Sequence, residues 1–131
     1  GIKAITTNGL RRMGDREGLI LQGCGGDLQE WLDGINEMFT ANGILKDGTK
    51  FENISVFEHE GLSCLLFLFD GVKLDVGKLA LWRLQTHATF GGTWLSDYVT
   101  NRLGGFFPLP ARPTEQPEAA ARPKPKSQPE R

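Results

Sequence analysis

The sequence predicts an α+β domain over residues 1–106, a short antiparallel β-meander packed with about three helices. Three patterns predict it. Leu28, Trp31, Leu32, Ile35, Met38 and Phe39 recur at the spacing of one helix face. Residues 53–76 form three strand-like runs separated by the dipeptides Glu60-Gly61 and Asp70-Gly71. All seven prolines lie after residue 107 and all seventeen glycines before residue 106, so the composition changes abruptly near Phe107.

Taken in order, the first element is an edge strand or pair of strands before residue 23. Ile2, Ala4 and Thr6 alternate weakly, and Asn8-Gly9 suits a tight hairpin because both central residues of a type I′ turn need positive φ. Gly18 then opens Leu19-Ile20-Leu21. The helix that follows runs over 28–42. Asp27 can cap it, Glu30 stands where a capping box needs a carboxylate, and Gly43 can take the left-handed conformation that ends it. Gly34 weakens this helix by up to about 1 kcal/mol relative to alanine, which predicts a close approach by another backbone.

Among the strand-like runs, Asn53–His59 and Val72–Val76 alternate, whereas Leu62–Phe69 is apolar on both faces. That run is expected at the centre of the meander, covered on both sides. Residues 78–88 fit a buried helix, since Leu81, Leu84 and Ala88 keep helical spacing while Leu79 and Trp82 broaden the face. Gly91-Gly92 breaks the chain. Thr93 can cap a second short helix carrying Trp94, Leu95, Tyr98 and Val99, which Gly104-Gly105 ends. The tail at 107–131 lacks any apolar period and cannot repay the entropy of ordering, so a disordered, Pro-rich segment is expected there.

Charge and hydropathy narrow the function classes. A formal net charge of −1 with 39% hydrophobic residues excludes a chain that binds nucleic acid by overall charge, and equally a fully disordered one. Residues 1–106 carry 10 Lys/Arg against 13 Asp/Glu, and the tail carries 5 against 3. The longest apolar run, Leu62–Phe69, falls far short of the roughly 20 residues of a membrane-spanning helix. No membrane association is expected. The N-terminus has no secretory pattern, and two cysteines in a domain with this much core need not form a staple, so a cytoplasmic setting is expected.

Several constellations could carry chemistry. Gly23-Cys24-Gly25-Gly26 before a helix has the look of an anion cradle, but Asp27 would place a carboxylate where the ligand's charge should sit; a glycine connector is the plainer reading. Cys24 near that helix start could be a nucleophile with His59 or His87 as its base, which would make the chain a small cysteine-dependent hydrolase. A structural cysteine is the simpler alternative. Cys24, Cys64, His59 and His87 offer no pair in one local frame, so neither a metal nor another cofactor is expected.

The densest mixture of aromatic and polar groups lies at 82–102. Trp82, Arg83, His87, Trp94, Asp97, Tyr98 and Arg102 form the expected binding surface of a non-enzymatic interaction module, because Trp, Tyr and Arg dominate binding hot spots. The competing reading is an internal network in which the tryptophans fill the core and Asp97 pairs with Arg83 or Arg102. Weak nucleic-acid contact is a third reading, through those aromatic and Arg groups together with Arg122, Lys124 and Lys126 of the tail.

The stretch Leu79-Ala-Leu-Trp-Arg-Leu-Gln-Thr-His-Ala-Thr-Phe-Gly-Gly-Thr-Trp-Leu-Ser-Asp-Tyr98, with Asn101-Arg-Leu-Gly-Gly105 after it and Asp33-Gly-Ile-Asn36 upstream, resembles an uncharacterised small domain encoded on bacterial conjugative elements, of the kind associated with large polyvalent proteins. The resemblance spans about residues 19–106. It implies a bacterial cytoplasmic accessory protein serving element maintenance or defence evasion, with a protein partner, and it transfers no catalytic residue.

Overall fold

The computed structural model describes residues 1–108, apart from the side chains of residues 87–90. Nine elements follow one another: β1 (Ile2–Ala4), α1 (Thr7–Arg12), β2 (Gly18–Gln22), α2 (Leu28–Ala41), β3 (Ile54–His59), β4 (Leu62–Leu68), α3 (Val76–Phe90), β5 (Thr93–Trp94) and α4 (Leu95–Arg102). The fold is α+β. The five strands form one mixed sheet in the order β1-β3-β4-β2-β5.

The centre of the sheet follows from hydropathy. β3 and β4 form the hairpin expected at Glu60-Gly61, with Phe57 opposite Cys64 and Val56 opposite Leu65. On its other edge β4 pairs antiparallel with β2, so that Leu19 faces Phe67, Ile20 faces Leu66 and Leu21 faces Leu65. Alternation along these strands sends side chains to two cores. On one side Leu19, Leu21, Ile54, Leu65 and Phe67 pack with Leu32, Ile35 and Phe39 of α2 and Leu79 and Trp82 of α3. On the other, Ile20, Phe57, Cys64 and Leu66 pack with Leu10 of α1 and Leu95, Tyr98 and Val99 of α4. β4 is therefore central and covered on both faces.

Two sequence expectations are corrected here. Val72–Val76 is not the third strand of a meander; within it only Leu74 makes a bridge, to Leu45, and Lys73 and Asp75 are hydrogen-bonded to the 44–49 loop. The open edge of β4 goes instead to β2, whose Leu19, Ile20 and Leu21 are fully buried there, a larger apolar gain than the half-polar 72–76 run offers. Asn8-Gly9, expected as a hairpin turn, lies inside α1. Thr6 caps that helix by accepting the Gly9 N–H at 3.0 Å, and fully buried Leu10 anchors it to the second core. β1 pairs not with a hairpin partner but in parallel with β3.

The α2 helix forms as expected. Asp27 accepts the Gln29 N–H at 3.0 Å, and Gly43 takes a φ of +71° just beyond the helix. The Asn36 side chain holds the strand-like backbone of Phe51 from both sides, donating to its carbonyl at 2.9 Å and accepting its N–H at 2.7 Å. The close backbone expected at Gly34 is not there: among the described residues, no atom outside its own stretch of helix backbone lies within 4 Å of where its Cβ would stand. The chain stays docked past α4, as Phe107 donates its N–H to the Arg11 carbonyl of α1. The Pro-rich tail expected to be disordered lies, from residue 109, outside the described residues.

Candidate interaction site

The seven residues expected to form one recognition surface are divided by the sheet. Trp82, Arg83 and Trp94 belong to the α2/α3 side, and Tyr98 and Arg102 to the α4 side. Trp82 is a core residue, 4% exposed, with its ring edge-on to Phe39 at 4.8 Å and its Nε1–H donated to the Met38 sulfur at 2.9 Å. Arg83 lies over the half-buried Trp94 ring at 4.3 Å. Burial pulls the Arg83 guanidinium below its ordinary pKa, and the nearby carboxylate of Asp97 opposes that shift. Asp97 is exposed at the rim, and the side chain of His87 lies outside the described residues.

On the opposite side a polar chain runs across the sheet. The buried hydroxyl of Tyr98 sits 3.2 Å from His59 Nδ1 and 3.8 Å from the Cys64 sulfur. Arg102 covers the Tyr98 ring at 5.2 Å, donates to Gln22 Oε1 at 2.8 Å and lies 3.9 Å from Glu60. Arg102 thus meets Gln22 and Glu60 rather than the Asp97 that the network reading of this segment pairs with Arg83 or Arg102. Burial pushes the Tyr98 phenol upward, and its hydrogen bond with Cys64 adds to the shift.

Both thiols are buried. Burial raises the Cys24 thiol, with a further rise from Cys64, and burial raises Cys64 despite its contacts with Tyr98 and Arg102. Activation needs the reverse shift. Cys24 packs in the α2/α3 core while His59 packs against Tyr98 on the other face, so the sheet does not bring that pair together. Cys24 packs in the α2/α3 core and Cys64 in the α4 core.

These buried acids carry a pH consequence. Each has a folded pKa above its unfolded value, so its contribution to stability is full below the unfolded value and is lost as pH rises through the folded one. The unfolded values are about 8.5 for a thiol and about 10 for a phenol. The thermal midpoint is expected to fall steadily from about pH 9 upward, and Tyr98→Phe to blunt the fall above about pH 10. A melting profile flat to about pH 11 would contradict the burial of these groups.

The most exposed large apolar side chains among the described residues are ones the residue pattern did not single out as a surface. Leu81 is 56% exposed, Leu84 78% and Val76 74%, all on α3. Leu81, Leu84 and Ala88 were expected to face the core; the inward positions are instead Leu79 and Trp82, and the Ala88 side chain lies outside the described residues. Gly77, Ala80, Leu81 and Leu84 recur at i, i+3, i+4 and i+7, an uncharged stripe on the exposed side. A usable signal was present: a helix apolar on both sides has more apolar surface than one contact can bury.

No protein-family model, curated protein or solved structure matches this chain. Among the described residues no helix is long and apolar enough to cross a membrane.

Proposed function

We propose that this chain is a non-enzymatic protein-interaction module that engages its partner through the outer face of α3. The observation that carries this reading is the exposure of Leu84, Leu81 and Val76 together on one helix. Single exposed apolar residues are ordinary, whereas Leu81 and Leu84 are neighbours at i, i+3 on one helix, as contact surfaces require. The upward-shifted thiols favour this over the cysteine hydrolase. Resemblance of the 79–105 stretch to domains of bacterial conjugative elements supports a cytoplasmic accessory role in element maintenance or defence evasion. Of the seven residues expected to form one surface, Arg83, Trp94 and Asp97 stay together, Arg83 lying over the Trp94 ring near Asp97.

A photo-crosslinking residue placed at Leu84 in the living host tests the reading, with the same residue at the exposed Glu37 of α2 as control. A discrete crosslinked product is expected from position 84 and not from 37. Absence of any product at 84, or identical products at both positions, overturns it.

A further inference from the structure

We propose that the groove at the start of α2 is the docking site of the chain's own basic, proline-interleaved segment, residues 121–131. This open groove of about 320 Å³ lies between the Gly25-Gly26 loop and α2. Trp31 and Met38 line it with apolar surface, and the Trp31 Nε1–H, donated to the Gly25 carbonyl at 2.7 Å, ties the indole to the loop. Asp27 and Glu30 line it with carboxylates, and exposed Asp33 follows Glu30 at i+3. Gly34 lines it as well. A glycine inside a helix weakens it, and no backbone of the fold comes near enough to require one at this position. A side chain at 34 would instead stand in the groove, so the glycine keeps open a space that the described residues do not fill.

Charge identifies the occupant. Among the described residues Asp70, Asp47 and Glu60 each lie against a cation, whereas no ion pair forms at Asp27, Glu30 or Asp33, and α2 carries no lysine or arginine of its own. Residues 121–131, Ala-Arg-Pro-Lys-Pro-Lys-Ser-Gln-Pro-Glu-Arg, hold four cations against one carboxylate. Their prolines favour an extended backbone in which Arg122 to Lys126 spans about 12 Å, close to the roughly 9 Å of helix from Asp27 to Asp33. Proline rings set between cations suit a groove that is aromatic on one side and acidic on the other. The segment also reaches. Arg122 follows Pro108 by 14 residues, a length that spans about 46 Å when extended, more than the roughly 34 Å across a domain of this size. Because the segment is tethered, contacts too weak to hold a free peptide suffice.

Paramagnetic relaxation in the full chain is the test. With a nitroxide on Ser127→Cys, and the buried Cys24 and Cys64 left unlabelled, the backbone amides of residues 26–34 should broaden. Glu30→Lys with Asp33→Lys should sharpen them again, whereas Glu52→Lys with Glu58→Lys, the same charge change at other exposed sites, should not. Gly34→Leu should also sharpen them without lowering the melting temperature, since leucine fills the groove but favours the helix. Arg122→Glu, Lys124→Glu and Lys126→Glu together should abolish the broadening, and combining them with the α2 pair should bring it back. Amides of 26–34 that stay sharp in the parent, or broadening indifferent to the α2 pair, overturn the proposal. In a mixture of isotope-labelled chains without nitroxide and nitroxide chains without isotope, the same amides should stay sharp; broadening there means that a second copy fills the groove and overturns the tethered arrangement.

Discussion

Replacing Phe67 by alanine is expected to cost about 3–5 kcal/mol of folding stability, the range for removing a buried aromatic ring. Phe67 is fully buried on the central strand, pairs with Leu19 across the ladder and meets Phe51 edge-on at 5.5 Å. Strands on both sides and helices above hold that site in shape, so the cavity cannot collapse cheaply. Against a typical total of about 5–15 kcal/mol, the loss leaves the variant marginal. Denaturant titration reads it as a lowered midpoint with an unchanged slope. A loss below about 1 kcal/mol would mean that β4 is not the covered centre of the sheet.

The second large effect falls on a residue whose role differs between the two readings of the 82–102 segment. Trp82→Ala is expected to destabilise by about 3–5 kcal/mol, because the indole fills the space between α2 and α3 against Phe39 and Met38. Were Trp82 part of an exposed recognition surface, the loss would stay within about 0.5 kcal/mol. Comparing its melt with that of Leu84→Asp, two positions further along the same helix, separates the inward side of α3 from the outward one.

Much of this architecture is legible in the residues. α2 is specified locally: its apolar stripe, its Asp27 cap and its Gly43 stop all act within a few residues of one another. The β3–β4 hairpin is legible for the same reason, since Glu60-Gly61 joins runs whose alternation sets the register, and both turn residues take positive φ. The edge partner of β4 is not local. The 72–76 run follows β4 directly and β2 lies far upstream in sequence, yet the burial of Leu19, Ile20 and Leu21 decides for β2. Asn8-Gly9 shows the same limit, as its turn preference yields to the Thr6 cap and the burial of Leu10.

The candidate site divides along similar lines. Crowding of Trp, Tyr and Arg at 82–102 was visible, yet the sheet passes between them and gives Trp82 and Tyr98 to opposite cores. Composition and periodicity by themselves determined the α+β class, the doubly covered central strand, the α2 helix and the presence of an apolar helix near residues 78–88. Only the tertiary structure decided which side of that helix turns inward, because 79/82 and 81/84 are both apolar at helical spacing and their period is the same. The choice was made by volume: the Trp82 indole fills the gap beside Phe39 and Met38, which leaves Leu81 and Leu84 facing outward.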